Sequence, residues 1–300
     1  MSTLAAVNAQ TVVDAVGIGA IYGLMAVGIG LVFGVLRLVN FAYGQLVMAG
    51  AFALALSSEW GWPAWAGIAL CLAVVVALSM AMNLLVFRPL RTQSPAVMLV
   101  ATFAVAFLLQ SVALLWFGPL GKPASSLASL NRPVTIGDVD VRKITIVAIV
   151  VAGVCLVALV LLLERTTIGL HMRAASMDFG TARILGVRAE RVIGTAVLVS
   201  GVLAAAVAVL LTVQSPLVTP GFGLNQTIVV LAGVVVGGMN RLLSATLGGF
   251  SIGFVGGLLG GALPTAQSQY LPSVVFGLVI LVLLIRPGGL FARATVAERL

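Results

Sequence analysis

VIGTAVLVSGVLAAAVAVLLTVQSPLVTPGFGLNQTIVVLAGVVVGGMN, residues 192–240, contains no Asp, Glu, Lys, Arg or His. A bilayer crossing takes ~20 mostly apolar residues. This stretch is too long for one helix and too apolar for a soluble fold. Pro216, Pro220, Gly221 and Gly223 interrupt it near its middle, because proline ends a helix and glycine weakens it. Two membrane segments are therefore predicted here. The second, near 227–240, is either a span or a half-helix that enters and returns.

The rest of the chain repeats the pattern. Charge-free runs cover 15–36, 38–58, 60–87, 92–121, 144–163 and 242–285. The first five hold one span each, and the last is broken by Pro264 and Pro272. The expectation is an all-α fold: a polytopic inner-membrane helical bundle of 8–9 membrane segments, forming a single transmembrane domain over residues 1–300. Composition agrees. Hydrophobic residues make up 61% and charged residues 8%, against ~25% charged in soluble domains. Disorder needs the opposite balance, and an outer-membrane barrel would alternate over ~10-residue segments. The first 36 residues hold no Lys or Arg, so the basic start of a cleavable signal is missing.

The net charge of +8 sits between apolar runs, where it sets topology; it is no stripe for nucleic acid. Arg88 and Arg91, the segment 164–191 with five arginines, and Arg286, Arg293 and Arg299 read as cytoplasmic. The N-terminus, with Asp14 and no basic residue, reads as periplasmic, and the C-terminus as cytoplasmic. Loop 118–143 carries Lys122, Arg132, Arg142 and Lys143. Alternation nevertheless places it outside. Within it, Val134–Val141 reads as a small hairpin turning near Gly137 and Asp138. Cys71 and Cys155 lie in apolar runs and read as packing residues rather than a disulfide or metal pair.

Glycine is abundant, 34 residues, and concentrates inside spans. Small residues let helices approach closely in lipid; whether that means tight packing or helices that slide, composition does not decide. No ionisable residue lies in the middle of a predicted span, so the groups a proton- or sodium-coupled transporter uses are missing. Polar residues at depth are neutral: Gln45, Asn83, Gln110 and Ser111, with Asn40 near a span edge. There is no phosphate-cradling glycine loop with its lysine, no His-Glu-x-x-His and no Cys-x-x-Cys. Catalytic residues and metal ligands are expected to be absent, and the lone His171 falls in the basic cytoplasmic loop.

That loop, 164–191, is the most informative stretch. Small Ala174, Ala175, Ala182 and Gly186 mix with apolar Met172, Met177, Phe179, Ile184 and Leu185, flanked by arginines. Residues 171–185 can form a helix of about four turns with Ala175, Phe179 and Ala182 on one face. Gly186 fits a helix stop. This is either an amphipathic helix lying on anionic membrane lipid or a docking helix for a cytoplasmic partner.

Tyr22-Gly-Leu-Met-Ala-Val-Gly-Ile-Gly-Leu-Val-Phe-Gly-Val-Leu-Arg-Leu-Val-Asn-Phe-Ala-Tyr-Gly-Gln-Leu-Val-Met-Ala-Gly-Ala-Phe52 resembles the signature of bacterial branched-chain amino acid ABC transporter permeases. The likeness is to the shorter of the two permease subunits. Thr166-Thr-Ile-Gly-Leu, Ala175, Asp178 and Ala182-Arg-Ile-Leu-Gly-Val187 are similar to that family's cytoplasmic coupling loop. The resemblance covers nearly the whole chain. It implies a permease paired with a second permease subunit as a heterodimer, two cytoplasmic ATPase subunits and a periplasmic substrate-binding protein. No cofactor would be bound by this chain, since ATP is hydrolysed by the partner subunits. Ala175, Asp178, Ala182, Leu185 and Gly186 would sit in the ATPase groove. Asn40, Phe41, Gly44 and Gln45 would lie near the translocation path. Where family members often carry His-Gly-Glu, this chain has Tyr43, Gly44 and Gln45, losing a carboxylate and an ionisable ring.

The expected substrate is a branched-chain amino acid. The alternatives are a related permease for urea, short amides or sugars, or a passive channel or secondary transporter. A membrane enzyme is disfavoured by the missing catalytic constellation. A ligand shifts a conformational equilibrium only through differential affinity. In the family reading that bias comes from ATP in a docked partner, passed through the 171–186 helix to spans that rock between two openings.

Overall fold

The computed structural model describes residues 9–36, 39–91, 93–125, 127–136, 139–177, 179–238, 242–263, 270–286 and 289. Each long apolar run becomes helix: α1 (Ala9–Leu36), α2 (Tyr43–Glu59), α3 (Ala64–Met82) with a short α4 (Arg88–Leu90), α5 (Pro95–Phe117), α6 (Lys143–Arg165), α9 (Ala189–Gln214), α10 (Phe222–Gly237), α11 (Leu242–Ala262) and α12 (Leu271–Ile285). Two short helices, α7 (Thr167–Met177) and α8 (Phe179–Ile184), lie between α6 and α9. Among the described residues six helices are long and apolar enough to cross a membrane, and α10 and α12 are shorter apolar helices. The chain is an all-α polytopic membrane protein.

The 192–240 run divides where its prolines predicted. α9 stops at Gln214, and the chain runs extended through β4 (Leu217–Val218), which pairs antiparallel with β1 (Lys122–Pro123). Between α3 and α4 the helix widens into a π turn, Asn83–Phe87. Pro89 has no N–H to close the ladder there. The expected hairpin is present as β2 (Pro133–Ile136) against β3 (Val139–Arg142), in register Ile136 with Val139; residues 137 and 138 lie outside the described residues.

The centre is α1, α2 and α9, whose residues are mostly buried. α3, α5 and α6 form a periphery with apolar side chains such as Leu115, Trp116 and Val154 exposed, as lipid-facing helices require. Neutral hydroxyls tie the centre together. Ser200 Oγ donates to the Gly28 carbonyl (2.9 Å) and Ser79 Oγ to the Val197 carbonyl (2.9 Å). Interhelical bonds of this kind contribute ~0.6 kcal/mol each in a bilayer.

α1 lies antiparallel against α11, its most extensive partner. Thr11 meets Gly261, Ala15 meets Gly257, and Tyr22 meets Gly253 and Gly249. The glycines recur every four residues, so they share one face. An adjacent face of α11 carries Gly248 into the backbone of Gly233 and Gly237 on α10. The glycine abundance therefore serves tight packing here.

Contacts sort the loops between two ends. Arg142 pairs with Asp14 (3.7 Å) and Lys122 with Glu59. With the β1–β4 pair, they gather the start of α1, the α2–α3 turn, loop 118–142 and the α9–α10 connection at one end. All four tryptophans, Trp60, Trp62, Trp65 and Trp116, are exposed toward that end, as in an interfacial aromatic belt. At the other end Arg88 (3.1 Å) and Arg91 (3.7 Å) meet Glu190 beside α7 and α8.

Candidate functional site

Two regions carry chemistry: the α7–α8 segment at the arginine-rich end, and neutral polar groups at membrane depth. α7 begins at Thr167, four residues before the expected 171, because Thr166 caps it. Thr166 Oγ1 accepts from the Gly169 N–H (3.0 Å), which satisfies one of the open donors of the first turn. A side chain at 169 would strike the carbonyls of Leu162 and Leu163, so glycine is required where α7 folds back on α6. The single helix expected over 171–185 is instead described as α7 and α8, with 178 between them outside the described residues.

α8 ends as predicted. Gly186 has φ +90°, and the Val187 N–H reaches back to the Ala182 carbonyl (3.0 Å), the closure a left-handed glycine stop makes. The five residues singled out for docking divide. Ala175 and Ala182 are each 4% exposed and face the protein's own interior. Leu185 and Gly186 are exposed; Asp178 lies outside the described residues. The outward apolar surface is made by Met177 (88% exposed), Ile184 (86%) and Leu185 (79%). Met172 and Ala175 bury the opposite side, and α7 packs on α1, α6 and α9.

The four residues near the first motif are packed in the helical interior. Asn40 Oδ1 accepts from the Ala42 N–H (3.1 Å) at the entry to α2. Phe41 stacks on Phe103, ring centres 4.0 Å apart. Gly44 lies against Gly223 and Thr227 of α10. Gln45 is fully buried, and neither amide atom finds a partner among the described residues. Unpartnered amides at this depth are costly.

Two cavities accompany these groups. One, of about 620 Å³, lies under α7 between α1, α6 and α11, with Glu164, Arg173 and Ser244 on its wall. The other, of about 250 Å³, lies between α1, α10, α11 and α12, with Tyr22, Asn225, Gln226 and Gly256 on its wall. Sequence reasoning passed over Asn225 and Gln226. The signal was available: two adjacent carboxamides in a charge-free run, just after the Pro220–Gly221 break. Among the described residues no group of three or more His, Cys, Asp or Glu comes together.

Comparisons with known proteins fit this architecture. The chain matches the family described as branched-chain amino acid transport system / permease component over residues 11–284. It is 28% identical over 301 residues to the high-affinity branched-chain amino acid transport system permease protein BraD of Pseudomonas aeruginosa, covering 96% of this chain and 97% of that one. Against the corresponding permease protein LivH of Escherichia coli it is 25% identical over 303 residues, again 96% and 97%. Its fold resembles a chain of PsaBC from Streptococcus pneumoniae in complex with Fab, with TM-score 0.51, 14% identity, and 92% and 91% of the two chains covered. The glycine-seamed helical bundle, its capped inner segment and the match over residues 11–284 agree: this chain belongs to the branched-chain amino acid transport system permease family.

Proposed function

We propose that this chain is the transmembrane permease subunit of an ATP-driven importer of branched-chain amino acids, forming with a second permease a heterodimeric path through the bacterial inner membrane. Two cytoplasmic ATPases supply the energy, this chain binds no cofactor, and a periplasmic binding protein delivers substrate. Residues 1–300 act as one transmembrane domain of nine membrane segments: α1, α2, α3, α5, α6, α9, α10, α11 and α12. α12, 15 residues, and α10, 16 residues, are the short ones, ~23 and ~24 Å against a ~30 Å hydrocarbon core, and the strand and turn at 215–221 extend the reach of α10. An odd number of segments puts the termini on opposite sides, and the arginines of 164–191 and of the C-terminal tail put the C-terminus in the cytoplasm and the N-terminus in the periplasm. Loop 118–143 is then periplasmic and 164–191 cytoplasmic.

The observation that carries the reading is the Met177–Ile184–Leu185 surface. Large apolar side chains left exposed mark a contact with protein or membrane, and the arginines beside these favour a protein groove in this reading. An ATPase groove closing on Leu185 and Gly186, with Asp178 as a further docking residue, takes hold of this surface. Ala175 and Ala182, turned inward, act from behind it by letting α7 and α8 seat closely. A push on α7 reaches α9 and α1 through Met172 and Ala175. Ser200 and Ser79 carry it across the centre. Asn40, Phe41, Gly44 and Gln45 lie along the moving core, with Gln45 the group a shifted helix uncovers.

The test is reconstitution of the complete complex in liposomes with its binding protein. ATP-dependent leucine uptake that is lost in Leu185→Asp and Met177→Asp, with membrane insertion intact, is the expected result. Leucine uptake by this chain alone, without an ATPase, overturns it. Uptake of urea or sugar in place of leucine replaces the substrate and leaves the docking argument standing.

A further inference from the structure

Of the late α11 glycines, Gly256 and Gly260 are the two at which a Cβ would crowd nothing, and of these two Gly256 borders a cavity. A Cβ at Gly253 would crowd Tyr22, one at Gly257 Ala15, and one at Gly261 Thr11; those glycines are needed for the α1 contact. A Cβ at Gly256 would meet only Val275 Cγ2, at 3.9 Å, an ordinary contact. Glycine in a helix interior is destabilising relative to alanine. What its bareness provides is the cavity of about 250 Å³ that it borders.

The wall of that cavity is mostly apolar, with Val229 and Val275 beside Gly256 in its lining, and three residues with polar ends line it as well: Tyr22, Asn225 and Gln226. Gln226 Oε1 is buried and has no hydrogen-bond partner among the described residues. Asn225 is exposed within a charge-free run, where a polar side chain is costly against lipid and marks a pathway or a partner. The volume of about 250 Å³ equals about eight waters at ~30 Å³ each and falls below the ~300 Å³ where drug-sized pockets begin. It suits one small molecule.

We infer that this cavity is a substrate subsite: it takes the branched aliphatic side chain of the amino acid on its valine and glycine walls and holds the α-ammonium on the Gln226 carboxamide, which turns its oxygen into the cavity to accept it. This rests on the importer reading above. A neutral carboxamide accepts from an ammonium without the strength of a carboxylate, so it holds a zwitterion and also releases it. Asn225 has N–H donors for the carboxylate. Gly256 sets how large a side chain fits.

The experiment measures initial uptake of leucine, isoleucine, valine and alanine by the reconstituted complex carrying Gly256→Ala, Gly256→Val or Gln226→Leu, with complex yield and ATPase rate measured alongside. Gly256→Ala, which fits the fold, is expected to lower leucine and isoleucine uptake about tenfold or more relative to alanine. Gly256→Val should extend the loss to valine. Gln226→Leu should raise KM for all four to a similar degree. Unchanged leucine-to-alanine ratios in both Gly256 variants overturn the subsite. So does a uniform loss that tracks complex yield, which makes the cavity a seat for the second permease. A loss that follows the acyl-chain length of the vesicle lipid overturns it in favour of a lipid seat. A wild-type complex that moves none of the four fails the importer reading first and removes the subsite with it.

Discussion

Gly44 on α2 and Gly223 on α10 bring two helix backbones into direct contact: a Cβ on either would overlap the carbonyl oxygen of the other. Neither obstacle is a flexible side-chain end, so no rotamer change relieves it. α2 and α10 are joined here without an intervening side chain.

Gly44→Ala and Gly223→Ala are therefore expected to destabilise the folded protein by about 2–3 kcal/mol. Thermal unfolding of the detergent-purified chain reads this directly. Gly153→Ala on α6, where a Cβ meets nothing within 4 Å, is the control and should unfold at or above the wild-type temperature. Equal behaviour of all three variants would refute the contact.

Gly186→Ala forces a side chain into a backbone with φ +90°, at a cost of about 1–2 kcal/mol. Gly186→Trp adds bulk at an exposed position with nothing within 4 Å of its Cβ. Both should reach the membrane normally. The expected result is that substrate-stimulated ATPase activity falls in the alanine variant and disappears in the tryptophan variant. Full stimulation in Gly186→Trp would exclude this turn from docking.

Thr166→Ala removes the cap on the Gly169 N–H and should loosen α7 by about 1 kcal/mol. Hydrogen exchange across 167–172 is the measurement. Faster exchange confined to that turn, with α6 unchanged, is expected; Thr166→Ser should restore protection.

Glu190→Gln breaks the pairs with Arg88 and Arg91. All three side chains are well exposed, and exposed pairs contribute at most ~1 kcal/mol. The unfolding temperature should scarcely move. A large drop would mean that the π turn at Asn83–Phe87 depends on this carboxylate.

Sidedness is open to direct labelling. A membrane-impermeant thiol reagent should reach Ser129→Cys in spheroplasts, and Met177→Cys only after the membrane is opened. The reverse pattern would invert the proposed orientation.

The helices were readable because apolar runs are long and proline marks their breaks; Pro216 and Pro220 fall between α9 and α10 as the sequence implied. The Gly186 stop was readable because one residue type suits a left-handed turn. The direction in which α7 presents Ala175 was not. A small residue signals close approach but does not name the neighbour, and here the neighbour is the protein's own interior. The start of α7 was missed because Thr166 takes its cap role only once the chain folds back on α6. Gly44 with Gly223, and the gathering of Tyr22, Asn225 and Gln226 around one space, depend on pairings of distant helices, which local pattern does not encode.

The two glycine faces of α11 have unequal consequences for motion. Toward α1 the pattern repeats every four residues, so a ratchet by one turn would again find notches. Toward α10 a lone Gly248 sits between Gly233 and Gly237, and the next turn offers Ile252. That single detent fixes the phase of the three helices, so in the proposed importer an ATP-driven stroke would tilt them as one plate.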